Sequence, residues 1–191
     1  MNQQDVITYF DRHAATWDAE MIRSDSIIAR ILDGAEIGPG KDVLDVACGT
    51  GVLIPDYLAR GVASVTAIDI SPEMCRICGE KFPEATVLCG AAETYPFERT
   101  FDCVMVYNAF PHFPEPEKLI AALADLVRPG GTVTVAHGMS RAAIDRHHTG
   151  SAHAVSVGLM HEDRLAELMA RCLTVTCKIS DERMYQVTGR R

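Results

Sequence analysis

From residue 41 onward the chain alternates apolar runs of strand length with amphipathic stretches of helical length, the pattern of βα units feeding a parallel sheet. The runs 42–47, 64–69, 86–89, 101–107, 132–137, 173–178 and 184–188 predict strands. The stretches 52–60, 72–82, 115–127 and 162–171 predict helices. Pro72 suits a first helical turn, where its missing N–H costs nothing, and Pro129-Gly130-Gly131 should interrupt the chain before the fifth strand. The connection 179–183 is too short for a crossover helix, so the last two strands should pair as an antiparallel hairpin at one edge.

The expected fold is therefore α/β: one doubly wound, mostly parallel, seven-stranded sheet with an antiparallel C-terminal hairpin strand. Two stretches fall outside the rhythm. Residues 1–34 read as an N-terminal helical lid, and residues 138–160, polar and rich in Gly, Ser and His, as a substrate lid loop. Between and after them lie a ligand-binding core, 41–137, and a C-terminal helix and hairpin, 161–191, within a single domain 1–191.

Composition narrows the partners. Apolar residues at 48% and charged residues at 23% are ordinary globular usage. The net charge of −8, without a Lys/Arg block, disfavours nucleic acid. The longest apolar stretches are far short of the about 20 residues a membrane span needs. Met1-Asn-Gln-Gln-Asp-Val lacks the basic start and apolar core of a secretion signal, so a cytoplasmic location is expected. Seven cysteines without a disulfide-framework spacing read as reduced core filler, including Cys75-Arg-Ile-Cys78 one helical turn apart.

The chemistry is carried by Asp45-Val-Ala-Cys48-Gly49-Thr-Gly51, which ends the first strand and opens a helix. Its glycines let the backbone turn sharply and approach a ligand closely. A dinucleotide fingerprint would need glycine at position 54, which is Ile54, and Asp45 places a carboxylate where a pyrophosphate would lie. A nicotinamide oxidoreductase is thereby disfavoured. S-adenosylmethionine has a sulfonium and an ammonium but no phosphate, so the same carboxylate would attract it. Asp69, about twenty residues after the glycines at the end of the second strand, can accept hydrogen bonds from both ribose hydroxyls.

On these residues the chain from about 42 to 137 resembles the class I S-adenosylmethionine-dependent methyltransferases, of the small-molecule type grouped with ubiquinone and menaquinone methyltransferases. The resemblance implies a Rossmann-like fold and an enzyme of the EC 2.1.1 type. It implies Gly49, Gly51, Asp45 and Cys48 around the methionine part of the cofactor, Asp69 on the ribose, Ile70 and Met74 flanking the adenine, and Asn108 closing over the methyl donor. Where such enzymes often have Gly-Asp-Ala-Glu this chain has Gly90-Ala91-Ala92-Glu93, leaving the backbone of Ala91 and Ala92 to read the adenine. Phe10-Asp11, Ala14 and Trp17-Asp18 resemble the opening pattern of the same group, where a first helix folds over the cofactor, making Tyr9 and Trp17 lid residues.

Methyl transfer needs a nucleophile held in line with the carbon–sulfur bond and, for protonated acceptors, a base. His112 and His137 follow the fourth and fifth strands at the ligand edge and are the candidate bases. His147, His148 and Met139 are candidate acceptor contacts. The spacing in His147-His148-Thr-Gly-Ser-Ala-His153 matches no standard zinc motif, so no metal is assigned. The expected function is methyl transfer to a small-molecule acceptor with an oxygen, nitrogen, sulfur or carbon nucleophile. The alternative is a non-catalytic protein binding S-adenosylmethionine or S-adenosylhomocysteine. A homodimer is left open.

Overall fold

The computed structural model describes residues 2–147 and 155–191, and of residue 147 only the backbone. His148 and the run on to His153 lie outside the described residues.

In chain order the helices are α1 (Gln3–His13), α2 (Trp17–Glu20), α3 (Asp25–Gly34), α4 (Ile54–Ala59), α5 (Pro72–Lys81), α6 (Pro116–Leu126), α7 (Arg141–His147) and α8 (Glu162–Met169). The strands are β1 (Asp42–Val46), β2 (Ser64–Asp69), β3 (Thr86–Cys89), β4 (Phe101–Tyr107), β5 (Val127–His137), β6 (Thr174–Ser180) and β7 (Tyr185–Arg190). They form one sheet in the order β3-β2-β1-β4-β5-β7-β6. Neighbours from β3 to β5 are parallel, and β7 runs antiparallel to both β5 and β6. The chain winds outward from β1 in one direction, then restarts at β4 in the other. That reversal opens a crevice beyond the carboxyl ends of β1 and β4.

Burial follows position in the sheet. Val43, Leu44 and Val46 of β1 and Met105 and Val106 of β4 are fully buried, as central strands covered on both faces must be. β6 instead alternates exposed and half-covered positions, the pattern of an edge. One face of the sheet lies beneath α6 and α8 through Leu119, Leu123 and Leu165. The other lies beneath α3 and α4 through Ile28, Ile31 and Tyr57. Each such side chain contributes about 1.5–3 kcal/mol on burial.

The fifth strand begins at Val127 instead of 132, so Pro129-Gly130-Gly131 forms an irregular stretch inside it. Val127 already pairs with Phe101, and the register shifts before Cys103 meets Thr132. The C-terminus stitches the irregularity down: Gly130 N–H donates to the Arg191 carbonyl at 2.8 Å, and Arg191 N–H to that of Gly131 at 3.0 Å. A Cβ on Gly131 would come within 2.5 Å of the Asp102 carbonyl oxygen, so glycine is required there.

Residues 1–34 form three helices, and they divide the work. Helix α3 belongs to the core, with Ile28, Ile31 and Leu32 at 1% exposure or less and its Ile31 carbonyl accepting from Gln186 Nε2 at 3.1 Å. Only α1 and α2 lie over the crevice. Within 138–160, α7 forms where a loop was expected, with Ser140 Oγ accepting the Ala143 N–H at 3.2 Å in the manner of an N-cap and Ile144 buried. Among the described residues no helix is long and apolar enough to cross a membrane.

Candidate active site

Three residues in left-handed conformation bend the chain out of β1: Ala47 (φ 54°), Gly49 (φ 56°) and Gly51 (φ 88°). A side chain at Gly51 would be strained by its φ and would meet the Phe82 ring at 2.7 Å. Gly49 leaves its face open to Trp17, whose Nε1 would lie 3.6 Å from a Cβ there. At the end of β4, Asn108 is also left-handed (φ 53°), and its Oδ1 accepts the Gly138 N–H at 2.9 Å, tying the ends of β4 and β5 together.

These turns frame a cavity of about 500 Å³. Its floor is Asp45, Cys48 and Gly49 at the end of β1, Asp69, Ile70 and Met74 at the end of β2, and Ala91, Ala92 and Glu93 after β3. Tyr107, Asn108, His112 and Phe113 form the wall after β4, and Val6, Phe10, Trp17 and Met21 form the roof.

Two buried carboxyls set the electrostatics. Asp69 is 7% exposed, and each of its oxygens takes a backbone N–H, Oδ2 from Gly49 at 2.8 Å and Oδ1 from Ser71 at 2.9 Å. Burial raises its pKa from the ordinary carboxylate value, while the N–H groups of Ser71, Gly49 and Ile70 oppose the rise. Asp45 is 2% exposed, and its Oδ2 has no hydrogen-bond partner. Burial first and the charge of Asp69 second push its pKa up to about 8, with the Tyr57 hydroxyl partly counteracting. A buried acceptor without a donor is costly unless a ligand supplies one, so the floor is built for a group bearing positive charge or N–H donors. Cys48 does not offer a thiolate: the adjoining Cys78 thiol and burial push its pKa well above the usual range. Cys75 and Cys78 are buried in α5, and the Cys75 thiol donates to the carbonyls of Asp69 and Leu88 at 3.3 Å.

The roof is fastened by acidic side chains. Asp11 of α1 accepts from Ser71 Oγ and, at 3.2 Å, from the Glu73 N–H at the start of α5. Asp18 of α2 accepts from Thr50 Oγ1 and from Lys81 Nζ at 2.6 Å. Burial opposes ionisation of Asp18, but Lys81 and Thr50 outweigh it and hold its pKa below the ordinary value. Phe10 bridges the roof to the wall, packing edge-on against Trp17 and against His112.

The structure gathers most of the residues singled out in the sequence. Trp17, Asp45, Cys48, Gly49, Asp69, Ile70, Met74, Ala91, Ala92, Asn108 and His112 line the cavity. Gly51 instead packs behind the turn against Phe82, and Tyr9 stacks on His13 with ring centroids 4.3 Å apart. His137 is 2% exposed, packs edge-on against Tyr185 at 6.0 Å between ring centroids, and is not among the residues lining the cavity. Met139 packs partly buried against the core, and His147 ends α7.

Val6, Phe10, Met21 and Tyr107 are among the lining residues not assigned to the site from the sequence. Val6, Phe10, Ala14 and Trp17 recur at helical spacing and make one apolar stripe, a signal readable from the sequence.

Residues 43–131 match the family model described as a methyltransferase domain. Among curated proteins, the chain is 34% identical over 146 residues to a ubiquinone biosynthesis O-methyltransferase of Xanthomonas campestris pv. campestris, covering 66% of this chain and 59% of that protein. It is 33% identical over 107 residues to the demethylmenaquinone methyltransferase of Renibacterium salmoninarum, covering 56% of this chain and 45% of that protein. The chain thus spans about half the length of the curated relatives it matches. Among solved structures, the DhpI-SAM-HEP complex superposes with a TM-score of 0.77 at 20% identity, over 98% of this chain and 97% of that one. At that identity the likeness is one of fold.

Proposed function

From the match of residues 43–131 to the methyltransferase domain model and from the likeness of fold, we propose that the protein is a class I methyltransferase that binds S-adenosylmethionine and methylates a small molecule. The observation that carries the reading is the floor of the cavity. A left-handed glycine turn lies between two buried carboxyls, one of them with an oxygen that no protein group satisfies.

The residues fit the cofactor. Asp45 Oδ2 supplies the acceptor that an ammonium or sulfonium environment calls for, and the absence of a side chain at Gly49 lets the ligand lie against the backbone. The Asp69 carboxylate is held rigid by Gly49 and Ser71, and its remaining lone pairs serve the ribose hydroxyls. Ile70, Met74 and Ala92 give the adenine apolar walls, with Ala91 backbone and the Glu93 carboxylate at its edge. When bound, the cofactor supplies an electrophilic methyl group on its sulfonium. The protein's part is to orient, to exclude water and to accept a proton. Phe10, Trp17 and Met21 close the site from above, and Asn108 fixes the end of β4. His112 is the one imidazole in the described cavity lining and takes the proton of the acceptor.

A small acceptor fits the same reading, since the space beside His112 is bounded by Phe10 and Phe113 under a roof held by side-chain contacts. A reducing, cytoplasmic setting agrees with seven unbridged cysteines, four of them buried.

Isothermal calorimetry with S-adenosylhomocysteine tests the proposal. Micromolar binding that Asp69→Ala abolishes is expected. Absence of binding to the folded wild-type protein would overturn it.

A further inference from the structure

A main-chain contact fixes the chemistry of His112. Its Nδ1 lies 2.6 Å from the Val155 carbonyl oxygen. A carbonyl can only accept, so Nδ1 carries the proton, and in the neutral ring Nε2 is left as the basic nitrogen. The contact is buttressed in both directions: Val157 N–H donates to the Pro111 carbonyl at 2.9 Å, so residues 155–157 and the 3-10 turn Phe110–His112 clasp each other through two hydrogen bonds. Val155 is 2% exposed, which anchors its carbonyl. On another side the ring meets the edge-to-face packing of Phe10.

We propose that the Val155 carbonyl is a positioning group that holds His112 in the Nδ1–H tautomer, making Nε2 the proton acceptor for the methyl-accepting molecule. The inference rests on the methyltransferase reading of the cavity. A carbonyl here has the place that a carboxylate has behind many catalytic histidines: it orients the ring, selects the tautomer, and stabilises the imidazolium once formed through the same hydrogen bond. The proton balance is simple. The acceptor O–H or N–H proton passes to Nε2 as the new bond to the methyl carbon forms and the carbon–sulfur bond breaks, its electron pair staying on sulfur. The Val155 carbonyl neither gains nor loses a proton.

The tautomer is read directly by long-range proton–nitrogen correlation spectroscopy on protein with nitrogen-15 histidine, with the His112 signals assigned through the His112→Gln variant. At a pH where the ring is neutral, the Nδ1–H pattern is expected. A predominant Nε2–H pattern, the form favoured by a free imidazole, would overturn the proposal. Val157→Pro removes the N–H that binds Pro111 while replacing an exposed side chain, and should convert His112 to the Nε2–H pattern. An unchanged tautomer in that folded variant would also count against the proposal, and if the variant does not fold, the wild-type spectrum still decides. Calorimetry with S-adenosylhomocysteine on the same wild-type sample keeps the two readings apart, since ligand binding can hold while the tautomer assignment fails, and the reverse.

Discussion

Phe10 of the first helix meets the imidazole of His112 edge to face, with ring centroids 5.0 Å apart and the planes at 84°. The contact joins a roof element to the wall beyond β4, so closing the site and orienting its imidazole are one packing event. Such a pair contributes about 0.5–1.5 kcal/mol beyond area burial. Phe10→Ala should weaken S-adenosylhomocysteine binding by about tenfold, while the unfolding midpoint moves little because the helix lies over the crevice and not in the core. Calorimetry paired with thermal melting checks both; unchanged affinity would remove the roof from the binding site.

Asp45 makes binding pH-dependent. With its pKa raised to about 8, the free protein holds a proton on this carboxyl at pH 7. A cationic ligand favours the ionised form, so binding should release a proton near neutrality, and affinity should rise with pH until about 8. Repeating calorimetry in buffers of different ionisation enthalpy measures the release.

The same shift governs stability with the opposite slope. Because the folded-state pKa lies above the unfolded value, the contribution of Asp45 is fully present below pH about 4 and is lost as pH rises toward 8. Asp45→Asn should flatten that dependence, raise the unfolding midpoint at pH 8, and weaken ligand binding at least tenfold. Melting curves at pH 5 and 8 separate these effects.

Asp69 should behave differently, because its carboxylate also holds the Gly49 and Ser71 N–H groups. Hydrogen bonds to a charged acceptor contribute about 1.5–3 kcal/mol each. Asp69→Ala should therefore lower stability by a few kcal/mol as well as abolish binding, visible as a reduced denaturant midpoint. A variant of wild-type stability would mean that the turn is held by other contacts.

Glycine at 51 is required twice over, by φ and by the Phe82 ring. Gly40 shares a positive φ (73°) but faces open space. Gly51→Ala should cost more than Gly40→Ala, roughly 2–4 kcal/mol against about 1 kcal/mol. Urea denaturation of the two variants tests the ordering.

What the sequence revealed was what local rules govern. The turn after β1 follows from residue types within seven positions, and the apolar runs of β1, β2 and β4 follow from burial on both faces. Helix α3 was harder, because an amphipathic stripe of Ile27, Ile28 and Ile31 reads alike whether it covers a ligand or a sheet. The start of β5 was hidden because Pro129-Gly130-Gly131 looks like a break, while its pairing comes from Arg191 at the far end of the chain. Strand alternation could have placed His137: it shares parity with Val133 and Val135, which point into the core beneath α6 and α8. The partner of His112 Nδ1 is 43 residues away, beyond the reach of any local pattern.

Of the three non-glycine residues with positive φ among the described residues, two, Ala47 and Asn108, flank the cavity. Each holds a conformation about 1–2 kcal/mol above that of glycine. Laboratory evolution for heat tolerance would find glycine attractive at both, yet with unequal consequences. At 47 the exchange removes only a methyl group packed partly buried against the core. At 108 it deletes the amide oxygen that grips Gly138, so relief of backbone strain is offset by a looser junction between β4 and β5. The same backbone strain can be relieved freely at the first position and has a structural use at the second.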